Sequence, residues 1–136
     1  MVFVVDASMT MTWCFITEAT AETRAMLRRV RAEGAVVPAI WPLEVANALI
    51  VGERRQRLTQ AETAAFGQLL VALPIRIEEL PVARALGAVL ALGRQQGLSA
   101  YDAAYLELAA REGLPLATRD ARLRDAAARI GVPLLA

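Results

Sequence analysis

Carboxylates are the side chains of this chain best suited to chemistry, and four of them sit where a merely solvated charge has little reason to be. Asp6 directly follows a short apolar run at residues 2–5, and Asp120 lies two positions beyond another at 114–118. Glu44 is the sharper anomaly, because from Ala39 to Val51 the only polar side chains are Glu44 and Asn47. A helix apolar nearly all round reads as buried. A carboxylate inside it must be paired, neutralised or bound to a cation, since desolvating it alone costs several kcal/mol. Asn47, three residues on, shares its face. Asp102 falls on one helical face with Tyr105, Leu106 and Ala109, the inward side, while Glu107 and Arg111 point away and read as a solvated i,i+4 pair.

Each acid also has a plainer reading. Asp6 and Asp120 suit helix N-caps, Glu44 suits a first turn beside Pro42, and Ser99-Ala100-Tyr101-Asp102 matches the capping-box pattern. Ser8 can cap a helix or hold the Asp6 carboxylate, and Thr118 can bond a neighbouring carboxylate. Tyr101 reads as packing, Asp125 among Arg122, Arg124 and Arg129 as surface. Together the acids pose an electrostatic question. Two negative charges about 4 Å apart repel by roughly 4 kcal/mol at an effective dielectric near ~20. Such a cluster persists only with a shared proton or a bound cation, and all-oxygen ligation suits Mg²⁺ or Mn²⁺.

Other chemistries are excluded by missing residue types. The chain has no histidine and no lysine, and all 15 of its positive charges are arginine. That removes Ser-His-Asp and Cys-His nucleophilic catalysis, histidine-ligated zinc, the P-loop lysine and Schiff-base chemistry. Cys14 is the only cysteine, so it forms no internal disulfide and reads as a small buried apolar residue.

The elements that must position these acids alternate in type. Short apolar strands are expected at 2–5, 35–38, 75–80, 114–118 and 132–135, and helices at 8–15, 18–32, 42–53, from Thr59 with Glu62 completing a capping box, 81–96, 100–112 and 121–130. Near-continuous apolar strands between helices predict a single α/β domain over residues 1–136, with a parallel central sheet of about five strands and helices on both faces. In such sheets ligands bind beyond the carboxyl ends of the strands, where Asp6 and Asp120 both fall.

The 136 residues are 57% apolar and 21% charged, with a net charge of +1 and a mean hydropathy of +0.42. The apolar excess points to a subunit interface or a covering partner. The apolar runs are far shorter than the roughly 20 residues a membrane helix needs. The N-terminus does not read as a signal peptide, so no membrane and a cytoplasmic location are expected.

Four segments in order resemble a known family: Val4-Val5-Asp6-Ala7-Ser8 followed by Trp13; Leu43-Glu44-Val45-Ala46-Asn47-Ala48-Leu49; Leu98-Ser99-Ala100-Tyr101-Asp102-Ala103; and Leu116-Ala117-Thr118-Arg119-Asp120 with Leu123. Across essentially the whole chain the sequence resembles the PIN-domain family and, within it, the toxins of bacterial VapBC toxin–antitoxin pairs. Thr12 stands where such toxins often carry a lysine, and Ala121 and Arg122 supply no further acid. The resemblance implies an endoribonuclease, with Asp6, Asp102 and Asp120 holding one or two Mg²⁺ ions and Glu44 completing or orienting the shell. A metal-activated water then cleaves the RNA phosphodiester. Ser8, Asn47 and Thr118 are the expected supporting residues. Arg119 and Arg122 are candidates for flanking phosphates, and equally for solvated arginines at a helix start. A cognate antitoxin and a homodimer are the implied protein partners. A housekeeping RNA-processing PIN nuclease and a non-catalytic PIN-like interaction module remain alternatives.

Overall fold

Aromatic and β-branched residues with no polar side chain among them make Phe3–Val5 a fully buried strand, β1, and such a strand needs neighbours on both edges and cover on both faces. The computed structural model describes residues 1–135. In it β1 pairs in parallel with β2 (Ala35–Pro38) on one edge and β4 (Leu116–Ala117) on the other. β3 (Ile75–Glu78) adds in parallel to β2, giving the order β3-β2-β1-β4. Val4 lies opposite both Val36 and Leu116. The strand expected at 132–135 is a one-residue parallel bridge, Leu134 opposite Leu116. The Leu116 N–H donates to the Pro133 carbonyl (2.9 Å), and the Leu135 N–H to that of Leu116 (3.0 Å). The expected parallel α/β sheet is present, as four strands and this bridge. β3 is shorter than expected and half-open, with Arg76 and Ile77 exposed at the sheet edge.

The helices are α1 (Ala7–Met11), α2 (Ala21–Glu33), α3 (Trp41–Arg54), α4 (Gln60–Ala72), α5 (Val82–Arg84), α6 (Leu90–Gln96), α7 (Ala100–Glu112) and α8 (Ala121–Ile130). A 3₁₀ turn at Ile16–Glu18 precedes α2, and a π-helical turn at Ala85–Val89 joins α5 to α6. α1 ends earlier than expected: the Thr12 hydroxyl donates back to the Met9 carbonyl (2.6 Å) and satisfies a terminal acceptor. α2 starts later because Thr20 and Thr23 form a reciprocal capping box, as Thr59 and Glu62 do for α4. Gly34 joins α2 to β2 at φ +81°, where a Cβ would also press on the Pro74 carbonyl at 3.2 Å.

Two expectations about burial are corrected. α3 is buried on one side only: Trp41, Val45, Leu49 and Gly52 face the core, while Leu43 and Ile50 are 68% and 46% exposed. Aliphatic residues on the open side had made the helix look buried all round. The Trp41 indole donates to Thr10 Oγ1 (3.0 Å) and ties α3 to α1. In α7, which crosses β1 and β2, every residue from Ala103 to Ala109 is buried, Glu107 included. The π turn and α6 cover the side that the sequence leaves to solvent. Glu107 accepts from Arg111 Nε (3.0 and 3.2 Å) and lies 3.9 Å from Arg84 Nε, so the predicted pair with Arg111 forms, but under cover. Among the described residues no helix is long and apolar enough to cross a membrane.

Candidate active site

The chain leaves β1 toward β2 on one side and returns to place β4 on the other, so the order of winding reverses at β1, and ligands bind beyond strand ends at such switch points. The residues immediately past those two strands are Asp6 and Thr118. Parallel pairing carries them side by side, with the Asp6 N–H donating to the Ala117 carbonyl (3.2 Å). Asp6 is buried. Its Oδ1 accepts from the Met9 N–H (2.9 Å), capping α1, and from the Ser8 hydroxyl (2.8 Å). Its Oδ2 accepts from the same hydroxyl (2.9 Å) and from the Thr118 hydroxyl in a short bond. The cap and the candidate ligand are one side chain. The Arg119 N–H donates to Ser8 Oγ and the Asp120 N–H to Thr118 Oγ1, both at 3.0 Å.

Burial pushes the Asp6 carboxyl up to about 6, against the bonds from Thr118, Met9 and Ser8, and the charge of Asp102 adds to the rise. Asp102, half-buried in the first turn of α7, is raised by burial and then by the charge of Asp120. Its N–H donates to the capping Ser99 Oγ (3.1 Å). Asp120 caps α8 by accepting from the Leu123 N–H (2.9 Å). Glu44, in the first turn of α3, accepts from the Tyr105 hydroxyl at 2.6 Å. Burial raises its pKa, the tyrosine bond lowers it, and Asp102 raises it again. Burial and the bond to Glu44 both push the Tyr105 phenol up, so it stays a donor. Asp102 therefore stands in the field of all three other acids.

Some expected members stay outside this web. Asn47 and Arg122 are exposed and make no side-chain hydrogen bond among the described residues. The Arg119 guanidinium donates to the Glu18 carbonyl (3.2 Å). Tyr101 is 59% exposed, which corrects its reading as packing, and Asp125 is exposed as expected. Cys14 is only half-buried. Tyr105 was not foreseen as the partner of Glu44, although its place three residues after Asp102 on the inward face was the available signal. Arg55 and Arg57, which with Arg119 line a cleft beside Ser8 and Asp120, carried no sequence signal of their own.

The donor set suits a hard divalent cation. It is made of oxygens only, and the charge of Asp102 raises the carboxyls of Asp6 and Glu44 as that of Asp120 raises Asp102. Three donated hydrogens reach the Asp6 carboxylate, with that of Ser8 shared between its two oxygens. Among the described residues no three acids close around a single point. The arrangement thus fits an ion that keeps several waters, as Mg²⁺ does, rather than an all-protein cage.

Comparison with known proteins agrees with this geometry. The PIN domain family model matches residues 3–129, and the chain belongs to the PIN domain family. No curated protein sequence matches the chain. Among solved structures it is similar to PAE2754 from Pyrobaculum aerophilum, at TM-score 0.73 and 24% identity over 99% of this chain and 92% of that one. FitAcB from Neisseria gonorrhoeae matches at TM-score 0.60 and 19% identity, over 100% of this chain and 97% of that one. A toxin–antitoxin complex from Klebsiella pneumoniae matches at TM-score 0.53 and 18% identity, over 87% and 86%. At these identities the likeness is one of fold.

Proposed function

We propose that this PIN domain is a divalent-cation-dependent endoribonuclease acting in the cytoplasm as the toxin of a type II toxin–antitoxin pair. The observation that carries the reading is the buried Asp6 carboxylate at the switch point of the sheet, with Asp102 near enough for its charge to raise both Asp6 and Glu44 and with the charge of Asp120 raising Asp102 in turn. Asp6, Asp102 and Asp120 would hold Mg²⁺, or Mn²⁺, with Glu44 completing or orienting the shell. A divalent cation there supplies charge neutralisation at a phosphodiester and acidifies water.

The protein's own residues prepare that site. Ser8 and Thr118 fix the plane of the Asp6 carboxylate, and Tyr105 fixes Glu44. Arg119 lines the adjoining cleft, where its side chain can turn to a flanking phosphate. The toxin–antitoxin complex among the structural neighbours supports an antitoxin partner. The open apolar side of α3, with Leu43 and Ile50, supports either that partner or a homodimer.

The test is cleavage of single-stranded RNA by the wild type and Asp102→Asn, with Mg²⁺ or with EDTA. Loss of at least ~100-fold is expected from the substitution and from the chelator, as for a lost metal-site contact. Equal, chelator-resistant cleavage by both proteins overturns the proposal.

A further inference from the structure

Beside the carboxylate centre lies a cleft of about 510 Å³ that Ser8 and Asp120 share with Arg55, Arg57 and Arg119 above a floor that includes Phe15. The volume falls in the range of small-ligand sites. The Arg57 guanidinium lies over the Phe15 ring, 4.0 Å from its centroid. Its Nη2 donates to Thr17 Oγ1 (3.3 Å) and to Glu18 Oε2 (3.4 Å). A ring beneath and two acceptors at the edge hold the guanidinium as a fixed plane. The side chain is still 45% exposed and lines the cleft. The Arg55 side chain, on the same rim, has no hydrogen-bonding or ionic partner among the described residues.

Each arginine has a distinct consequence. Arg57 is already paired with Glu18, so its remaining capacity lies in its flat face more than in its charge. Arg55 is a free charge. A flat cationic face next to a free cation, in a cleft that reaches Asp120, complements an unpaired nucleotide: a base to stack and a phosphate to pair. Nucleobases stack on guanidinium planes as they do on aromatic rings.

We infer that this cleft is a stacking subsite for one unpaired nucleobase of the RNA, with the Phe15-supported Arg57 guanidinium as its platform and Arg55 on the adjoining phosphate. The inference rests on the ribonuclease reading for the identity of its ligand. It makes the enzyme selective for single strands, because a paired base cannot leave its duplex to lie on Arg57 without losing its own stacking.

The test measures binding apart from cleavage. Asp102→Asn protein is titrated into a short fluorescein-labelled single-stranded RNA, and into versions with one abasic position each, by fluorescence anisotropy. One abasic position is expected to weaken binding about tenfold, within the range of base stacking. The same abasic change should cost nothing further once Arg57→Ala is present. Arg57→Lys keeps the charge and the fold but loses the plane, so it should retain the salt dependence of binding while losing the base-dependent part. Arg55→Ala should lower the salt dependence and leave the abasic effect intact.

The proposal is overturned if the abasic change costs the Arg57→Ala protein as much as its parent. It is likewise overturned if a pentaglutamate peptide displaces the RNA as well as an unlabelled copy does, since the cleft would then read charge, as for an acidic protein segment. Cleavage by the otherwise wild-type protein is scored separately. No cleavage together with base–Arg57 coupling defeats the nuclease reading and keeps the subsite; cleavage without coupling does the reverse.

Discussion

Asp6 receives hydrogen bonds from Ser8, Met9 and Thr118, and burial still holds its carboxyl at about 6. A carboxyl raised above its ordinary value keeps its proton in the folded state where the unfolded chain has released it. Folding is therefore favoured by acid across that window. In EDTA, stability should fall as pH rises from about 4 to about 6 and level off above, by on the order of 3 kcal/mol from Asp6 alone. Glu44 and Asp102 add in the same sense. Glu33, held down at about 2 by Arg29 and the N-terminal ammonium, acts with the opposite sign, but in a lower window. Mg²⁺ should raise Tm more at pH 7.5 than at pH 5, since only the ionised cluster gains a partner. Thermal melts across this range in EDTA and in Mg²⁺ check both statements; stability that climbs from pH 4 to 7 without metal would contradict them. At this scale the sequence was informative where side chains end strands or face inward. Asp6, Ser8 and Thr118 meet because parallel strands end together, which alternation of elements already implies. The Glu44–Tyr105 bond spans 61 positions and joins two helices, and no local pattern encodes it.

The turn after α3 shows how an element can aim a side chain. The Gln56 N–H donates to the Glu53 carbonyl (3.0 Å) and the Arg57 N–H to the Gly52 carbonyl (2.8 Å), with Gln56 left-handed at φ +58°. This is a Schellman ending with glutamine where glycine is usual. It reverses the chain so that Arg57 returns over Phe15. Gly52 lets Phe15 and Leu58 approach, since a Cβ there would lie 2.9 Å from Leu58 and 3.2 Å from Phe15. Left-handed backbone costs a non-glycine residue about 1–2 kcal/mol, and glycine returns about 0.4–1 kcal/mol of that through the unfolded chain. Gln56→Gly should thus leave stability unchanged or raise it by up to about 1 kcal/mol, with the Arg57 platform intact. Urea denaturation at constant m-value decides it; a loss of stability would show that the glutamine side chain holds the turn. The absence of glycine at position 56 also explains why no local sequence signal marked this turn or the cleft beside it. Most helix runs were legible, because Thr59, Ser99 and Asp120 mark starts and Gly34, Gly97 and Gly113 mark ends, whereas the Thr20 cap of α2 was passed over.

Across the molecule, the buried Glu107 links parts that the sheet alone does not hold. Arg111 bonds it within α7, Arg84 approaches from α5, and Arg111 also reaches Glu78 at the end of β3 (3.8 Å). Glu107→Gln should cost about 1–3 kcal/mol, since it leaves two arginines partly covered and short of charge. Chemical denaturation measures this, and an unchanged midpoint would assign the cohesion of that edge to apolar packing. The helical period of α7 placed Glu107 opposite Asp102, correctly, but could not say that α6 and the π turn cover that side. Periodicity reports directions along one helix, whereas burial depends on what else packs there. The strand order carries a further consequence. β1 precedes β2 and β3 in the chain, yet one of its two neighbours, β4, follows all of them. Pairing across so long a span is slow to form. A nascent chain halted before Leu116 already holds Asp6, Glu44 and Asp102 but lacks Thr118 and Asp120, so it has three acids with no edge to gather them. Assembly of the carboxylate centre is thus timed by topology: it is complete only after translation has passed β4.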